Sequence, residues 1–301
     1  MSAPVARLVP MPPEVSLAWR ESGTPPAGPT SYDDEQLEAL EIEVGDVAVG
    51  GVLLDHAAPA GVRRTTIRRL ETTLDPDDRV HWPLVLAAVE DHLARRGTAT
   101  VVTAVGPALL ARFQEAGYAA TMTGVGVDLA ERTERLVADA GVVVLRAMSA
   151  DERTRWVPVV RDFLRGGMVR AGVLVHPDAP MDQIDRRLDA LLADPPPQEV
   201  LLTATAGGTP VGRFWGTVVP GPDGRHDLVA NTLDLLPEHR GRGLVRPLLA
   251  AIETYAREHG HHDVRARVYA LDGQARTTLL GIGLGLEDVH LRKDLPRDLP
   301  R

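Results

Sequence analysis

The segment Leu233-Asp-Leu-Leu-Pro-Glu-His-Arg-Gly-Arg-Gly-Leu-Val-Arg-Pro-Leu-Leu249 holds the residue types and spacing best suited to chemistry in this 301-residue chain. A strand-like run of leucines enters a turn containing Gly241 and Gly243. Beyond it, Val245, Leu248, Leu249, Ile252 and Ala256 recur at i, i+3, i+4 and i+7, the spacing of one helix face. The strand therefore aims the N-terminus of a helix. The first amides of a helix have no intrahelical acceptor and lie at the positive end of its dipole, so they attract an anion. Glycines lack a Cβ and let a phosphate come close to the backbone. Arg240, Arg242 and Arg246 add positive charge to the same turn. From the residues alone this is a phosphate cradle. Its plain alternative is a glycine-rich tight turn with solvated arginines.

Such a cradle needs a strand and helix to hold it, and the periodicity predicts an α/β fold with two units. Residues 1–30, with Pro4, Pro10, Pro12, Pro13, Pro25, Pro26 and Pro29, read as a poorly ordered leader. Residues 31–130 read as a first domain: a short helix over 33–41, strands over 46–54 and 65–74, a helix over 84–95 stopped by Gly97, a strand over 98–105, a helix over 108–116 closed by Gly117, and a strand over 119–129. Residues 131–141 form a polar linker. Residues 142–301 read as a second domain, with a strand over 142–146, Ser149 as helix N-cap with Glu152 three residues on, a helix over 181–192 and a meander of strands over 199–206, 210–219 and 227–235. The halves repeat. Pro76-Asp-Asp-Arg79 and its helix parallel Pro237-Glu-His-Arg240 and its helix, Val89-Glu90 matches Ile252-Glu253, and Gly117-Tyr118 and Asp128-Leu129 match Gly283-Leu284 and Asp294-Leu295 at one common offset.

The glycine turn resembles the signature of the GCN5-related N-acetyltransferase (GNAT) family, Arg/Gln-x-x-Gly-x-Gly/Ala, here Arg240-Gly-Arg-Gly243-Leu-Val245. Leu145 to Glu152 looks like the family's opening strand and helix, and Val211 to Gly216 like its central strand. The resemblance covers residues 142–295, and through the weaker repeat reaches residue 35. It implies two tandem GNAT-like domains, each a mixed, mainly antiparallel sheet flanked by helices, and transfer of an acyl group other than amino-acyl from acetyl-CoA. It also implies roles for individual residues. Amides around Arg242, Gly243, Leu244 and Val245 would bind the pyrophosphate, with Gly241, Arg240 and Arg246 beside it. Leu233 and Leu235 would hydrogen-bond the pantetheine arm and thioester, and Asp272 and Arg276 would lie near the cofactor.

The sequence departs from the family at three places. Val245 has a branched side chain where the signature ends in a small residue. Leu279 stands where the family's proton-donating tyrosine is expected, in Asp272-Gly-Gln-Ala275-Arg-Thr-Thr-Leu279-Leu-Gly-Ile-Gly283. Val229 and Asn231 occupy strand positions that often hold a base. Acetyl transfer still requires the amine to lose a proton and the thiolate to be stabilised. Asn231 can orient a water for that purpose, while Asp227, Asp234, His176 and Tyr269 are candidates for the missing roles. The catalytic assignment is Asn231, Asp234 and Tyr269. The first domain has Pro76-Asp-Asp-Arg-Val-His-Trp-Pro-Leu84 at the matching junction, with no glycine and with two carboxylates that repel phosphate, and Phe113 at the tyrosine position. It is expected to serve as scaffold.

Composition narrows the remaining classes. With no cysteine, a disulfide framework, a thiolate metal site and a cysteine nucleophile are all excluded. The net charge of −9 argues against nucleic acid and anionic membranes as partners. No apolar run approaches a membrane span, and Arg7, Pro10 and Pro12 interrupt any signal-like core, so a cytoplasmic protein is expected. His259-Gly-His-His262 reads as a solvated helix end, and no metal is expected. The expected acceptor is a small-molecule amine, and a homodimer is an allowed assembly. The rival reading is a non-catalytic acyl-CoA-binding or interaction protein that keeps the cradle without the chemistry.

Overall fold

A computed structural model describes residues 4–22, 36–57, 63–132, 141–170, 181–221, 224–269 and 273–296. In chain order the elements are β1 (Ala6–Pro10), α1 (Pro13–Ser22), β2 (Leu37–Val44), β3 (Val47–Ala57), β4 (Arg64–Thr72), α2 (His81–Arg95), β5 (Thr100–Val105), α3 (Pro107–Glu115), β6 (Ala119–Asp128), β7 (Val144–Ala147), α4 (Ala150–Arg170), α5 (Asp182–Ala193), β8 (Glu199–Ala206), β9 (Thr209–Pro220), β10 (His226–Leu235), α6 (Val245–Glu258), β11 (Asp263–Tyr269), α7 (Gly273–Gly281) and β12 (Gly285–Asp294). A 3-10 turn at Pro237–His239 links β10 to the glycine segment.

Two compact units result, one of Met1–Thr121 with Asp288–Arg301 and the other of Met122–Glu287. Strands in the first unit run β1-β2-β3-β4-β5-β12, antiparallel except for β4 beside β5. Those in the second run β7-β8-β9-β10-β11-β6, antiparallel except for β10 beside β11. The two orders correspond strand for strand, and each unit closes with a strand from the other half of the sequence. The ends match as well: the Leu129 amide donates to the His262 carbonyl at 2.9 Å, and the Leu295 amide to the Ala99 carbonyl at 3.0 Å. The units therefore differ from the contiguous spans 31–130 and 142–301 read from the sequence.

Two further expectations are corrected. Residues 4–22 are not a loose leader: β1 pairs with β2, and α1 follows. The prolines are placed where a missing N–H does no harm, Pro10 ending the outermost strand and Pro13 opening the helix. Residues 37–44 form β2 rather than a helix. Leu37, Ala39 and then Leu40, Ile42 and Val44 alternate with glutamates closely enough to suit a pleated strand, and Leu40 and Ile42 are buried.

In the second unit the sheet is covered on both faces. Phe214, Leu228 and Leu235 pack with Leu248, Leu249, Ile252 and Ala256 of α6 on one. On the other, Leu201 and Trp215 pack with Trp156, Val157 and Val160 of α4 and with Leu188 and Leu191 of α5. Trp156 and Trp215 meet edge to face, 6.0 Å between ring centres. At the start of α4, Ser149 and Glu152 exchange backbone hydrogen bonds, the Ser149 amide donating to Glu152 at 2.8 Å and the Glu152 amide to Ser149 Oγ at 3.3 Å.

Candidate functional site

Strand β10 has two halves. Parallel pairing with β11 covers only Leu228 to Ala230, although β11 continues to Tyr269. At that point the register with β9 skips Asn231, which sits in a bulge between Ala230 and Thr232. Beyond the bulge, β10 keeps β9 on one side and, among the described residues, has no strand on the other. The Leu236 amide donates to the Val211 carbonyl at 2.9 Å. By the two-residue alternation of the ladder, the peptide groups of Leu233 and Leu235 then point away from β9, towards the side that β11 has left. Arg240 Nε donates to the Leu235 carbonyl at 3.0 Å. The other groups on that edge have no backbone partner among the described residues.

The strand delivers this edge to the glycine turn. Gly241 and Gly243 adopt φ of +71° and +74°, in the left-handed region that favours glycine, and a Cβ at either would meet nothing within 4 Å. The bend is open. Among the described residues, no backbone or side-chain acceptor engages the amides of Gly241, Arg242, Gly243, Leu244 or Val245. Leu244 caps α6 without a side-chain hydrogen bond, and Pro247 in the first turn has no amide to satisfy. Asp234 holds Arg240 Nη2 at 2.8 Å, which keeps the guanidinium at the mouth of the bend. Val245 and Leu244 are half-buried against the core of α6, so the branched side chain of Val245 is directed into packing and not across the bend. The residues present thus suit a phosphorylated ligand: unclaimed N–H groups at a helix start, positive φ glycines and arginine charge.

The candidate catalytic residues fall into two sets. Val264, Ala266 and Val268 of β11 face α6, which puts Tyr269 on the opposite face of the sheet, against α4; a Cβ on Gly167 would lie 2.4 Å from its ring. Burial raises the Tyr269 phenol above its ordinary pKa, so it stays protonated and able to donate. Asn231 lies on that same face, its Nδ2 donating to Thr217 Oγ1 at 2.7 Å. Asp234, by contrast, is engaged by Arg240. Asp227 is buried near the start of β10, where Arg265 Nη2 lies 3.4 Å from it, and burial raises its carboxyl pKa. Arg276 is exposed on α7, and Leu279 is buried in the α6 core. His176 and Asp272 lie outside the described residues. His259 stacks on Tyr255 at 3.9 Å, and its Nδ1 meets the Tyr255 carbonyl at 2.8 Å.

Three residues absent from the sequence reading extend the polar face. Glu199 and Thr217 are directly opposed in β8 and β9. Glu199 Oε2 accepts from Trp215 Nε1 at 2.6 Å and Thr217 Oγ1 at 3.2 Å, and Arg187 Nε of α5 reaches Oε1 at 2.7 Å. A charged residue opening an otherwise apolar strand was the available signal.

A sequence profile described as the acetyltransferase (GNAT) family matches residues 168–276, from the end of α4 into α7. That match marks a GNAT domain within residues 168–276 of this chain. The chain is similar along its length to the GCN5-related N-acetyltransferase from Sphaerobacter thermophilus, at 17% identity and a TM-score of 0.50, covering 99% of this chain and 98% of that one. A tandem GNAT protein from the clavulanic acid biosynthesis pathway aligns at 15% identity and a TM-score of 0.47, over 98% and 99% of the two chains. A GNAT-family acetyltransferase from Colwellia psychrerythraea aligns at 9% and 0.48, over 97% and 99%. No curated protein matches the sequence. The fold is two GNAT-like sheets in tandem. Among the described residues, no helix is long and apolar enough to cross a membrane.

Proposed function

We propose that this chain is an acetyl-CoA-dependent N-acetyltransferase whose second unit passes the acetyl group to a small-molecule amine by direct attack on the thioester. One observation carries the reading: the run of unclaimed amides from Gly241 to Val245 lies at the end of the strand whose free edge begins at the Asn231 bulge. The amides and Arg240, Arg242 and Arg246 would hold the diphosphate. The outward peptide groups of Leu233 and Leu235 would hold the pantetheine amides. Acetyl-CoA supplies an activated acyl group with a good leaving group. The protein's share is approximation, donors for the carbonyl oxygen and a proton for the thiolate. Tyr269 is the candidate for that proton, since Leu279 has none to give. Asn231 orients the amine, whose proton passes to bulk water once the C–N bond has formed and the C–S bond breaks. We assign the protein to the cytoplasm, where acetyl-CoA is available.

Leu279, buried where the family donates a proton, favours the second reading of a non-catalytic acyl-CoA binder. Calorimetry with acetyl-CoA and CoA release with glucosamine, spermidine, phenylethylamine and free amino acids separate the two. Tight binding with turnover of at least one amine is expected, and Arg240→Glu should abolish the acetyl-CoA-induced thermal shift. Binding without turnover on any of these amines would support the non-catalytic reading, and an unchanged shift in the variant would place the phosphates elsewhere.

A further inference from the structure

Resting on the N-acetyltransfer reading, we infer that Glu199 and Thr217 are positioning residues that lock the Asn231 amide, presenting its Oδ1 as the hydrogen-bond acceptor for the attacking amine. The direction of the hydrogen-bond chain follows from what each group can do. The Glu199 side chain is only 3% exposed and is ion-paired with Arg187, so its carboxylate accepts and never donates. Thr217 has a single proton, and Glu199 Oε2 takes it. The Thr217 oxygen can then only accept. It does so from Arg187 Nη2, a group with no acceptor capacity, and from Asn231 Nδ2 at 2.7 Å. Reversing the Asn231 amide would set two acceptors against each other with no proton between them. Its NH2 is therefore turned to Thr217, and Oδ1 occupies the other corner of the planar group.

No described residue donates to that oxygen. The side chain is half-buried and emerges at the bulge where β10 parts from β11, on the α4 and α5 face, opposite the helix that carries the amide run. An amine has both an N–H to give and a lone pair to attack with. An acceptor that takes the N–H leaves the lone pair directed elsewhere, which is orientation without proton abstraction. Glu199 is thus two hydrogen bonds from Asn231 and three from the proposed nucleophile, and acts through Asn231.

Thr217→Val removes the relay, Thr217→Ser keeps it, and Glu199→Gln supplies an NH2 that permits the reversed chain. Kinetics would use acetyl-CoA with whichever of glucosamine, spermidine, phenylethylamine or the amino acids turns over. The expected loss in kcat/KM for the amine is about 10- to 100-fold in Thr217→Val and Glu199→Gln, the scale of a small misplacement of reacting groups. Acetyl-CoA affinity should stay within about twofold, since no phosphate contact changes, and Thr217→Ser should approach wild type. Unchanged amine kinetics in Thr217→Val would overturn the inference. So would a Thr217→Ser variant as impaired as Thr217→Val, which would mark a packing role. A second measurement is independent of turnover: one Asn231 side-chain NH2 proton should exchange slowly with water in wild type and quickly in Thr217→Val. Fast exchange in wild type would also overturn the inference. Failure of wild type to bind acetyl-CoA would instead sink the N-acetyltransfer reading, leaving the Asn231 resonance to decide the orientation.

Discussion

Helices α2 and α6 occupy matching places in the two units, each following the strand that pairs in parallel, yet they begin in opposite electrostatic conditions. At the start of α2, Asp78 Oδ1 accepts from the amides of Val80 and His81, both at 2.9 Å, and Oδ2 meets His81 Nδ1 at 2.6 Å. The chain's own carboxylate stands where an anion would bind. At the start of α6 the corresponding amides have no acceptor among the described residues, and arginines flank them. The bulge, by contrast, persists in both. Pairing of β3 with β4 skips Arg68 just as pairing of β9 with β10 skips Asn231, but Arg68 Nε is bound to buried Asp55 at 2.9 Å. The two units thus share the strand geometry, while in the first unit Asp78 takes the amides at the start of the helix and Asp55 takes the side chain at the bulge. We propose that the first unit is scaffold on these grounds.

The comparison can be broken by moving one residue. Asp78 lies three positions before the first residue of α2, and Arg242 three before that of α6. In Arg242→Asp the second unit receives the first unit's solution: a carboxylate able to cap α6 and repel phosphate. Acetyl-CoA affinity should fall roughly 100-fold or more, the scale of like-charge juxtaposition, while the melting temperature without ligand holds or rises. Wild type should bind one acetyl-CoA per chain. Two per chain, or full affinity in Arg242→Asp, would break the contrast.

A second pair of features is conserved in design and differs in burial. Lys293 Nζ of β12 bonds Glu90 of α2 at 2.6 Å and the Ala116 carbonyl at the end of α3 at 2.6 Å. In the second unit, Arg132 lies 3.1 Å from Glu253 of α6 and donates to the Ile282 carbonyl at the end of α7. Each clamp ties the strand that closes a sheet, or the residues just after it, to two helices. The Arg132 pair is the more buried, at 9% and 8% side-chain exposure against 23% and 17%. Removing one partner leaves a buried carboxylate unpaired. Arg132→Met should therefore cost about 3–5 kcal/mol, and Lys293→Met less, by urea unfolding. Equal or reversed costs would show that burial does not set the strength of these clamps.

Much of this was legible in the sequence, because the relevant signals are local. The glycine turn, the α6 face and the capping box at Ser149 each depend on a few consecutive residues, and the structure has them where the spacing put them. The repeat was visible through its helix-ending glycines. The strand exchange was not, since β6 and β12 have similar alternation and either sheet offers the same edge; nothing in a strand's own sequence says which of two equivalent neighbours it joins. Residues 4–22 were misread because prolines at element ends look like prolines in a loop. Glu199 and Thr217 were missed for a different reason. They are eighteen residues apart in sequence and are brought face to face only by the register of β8 with β9.

The smallest effect tests the first unit's half of the contrast. Hydrogen bonds from the His81 amide, the His81 side chain and the Val80 amide hold the Asp78 carboxyl at about 2, below its ordinary 3.8. A carboxyl depressed on folding stabilises the folded state when ionised. Its contribution is complete above the unfolded value near 4 and is lost as pH falls from there to about 2. Asp78→Ala should therefore lower the melting temperature at pH 7, and the gap from wild type should narrow between pH 4 and pH 2. Asp78→Asn, which can still accept the two amides, should show a smaller gap. A gap that does not change with pH would mean that the carboxylate charge is not what satisfies α2. Neither variant should gain an acetyl-CoA site, because Asp75 and Asp77 still repel phosphate and the bend has no glycine to admit one. The start of a helix becomes an anion site only where the chain leaves its amides unclaimed and also removes its own negative charge.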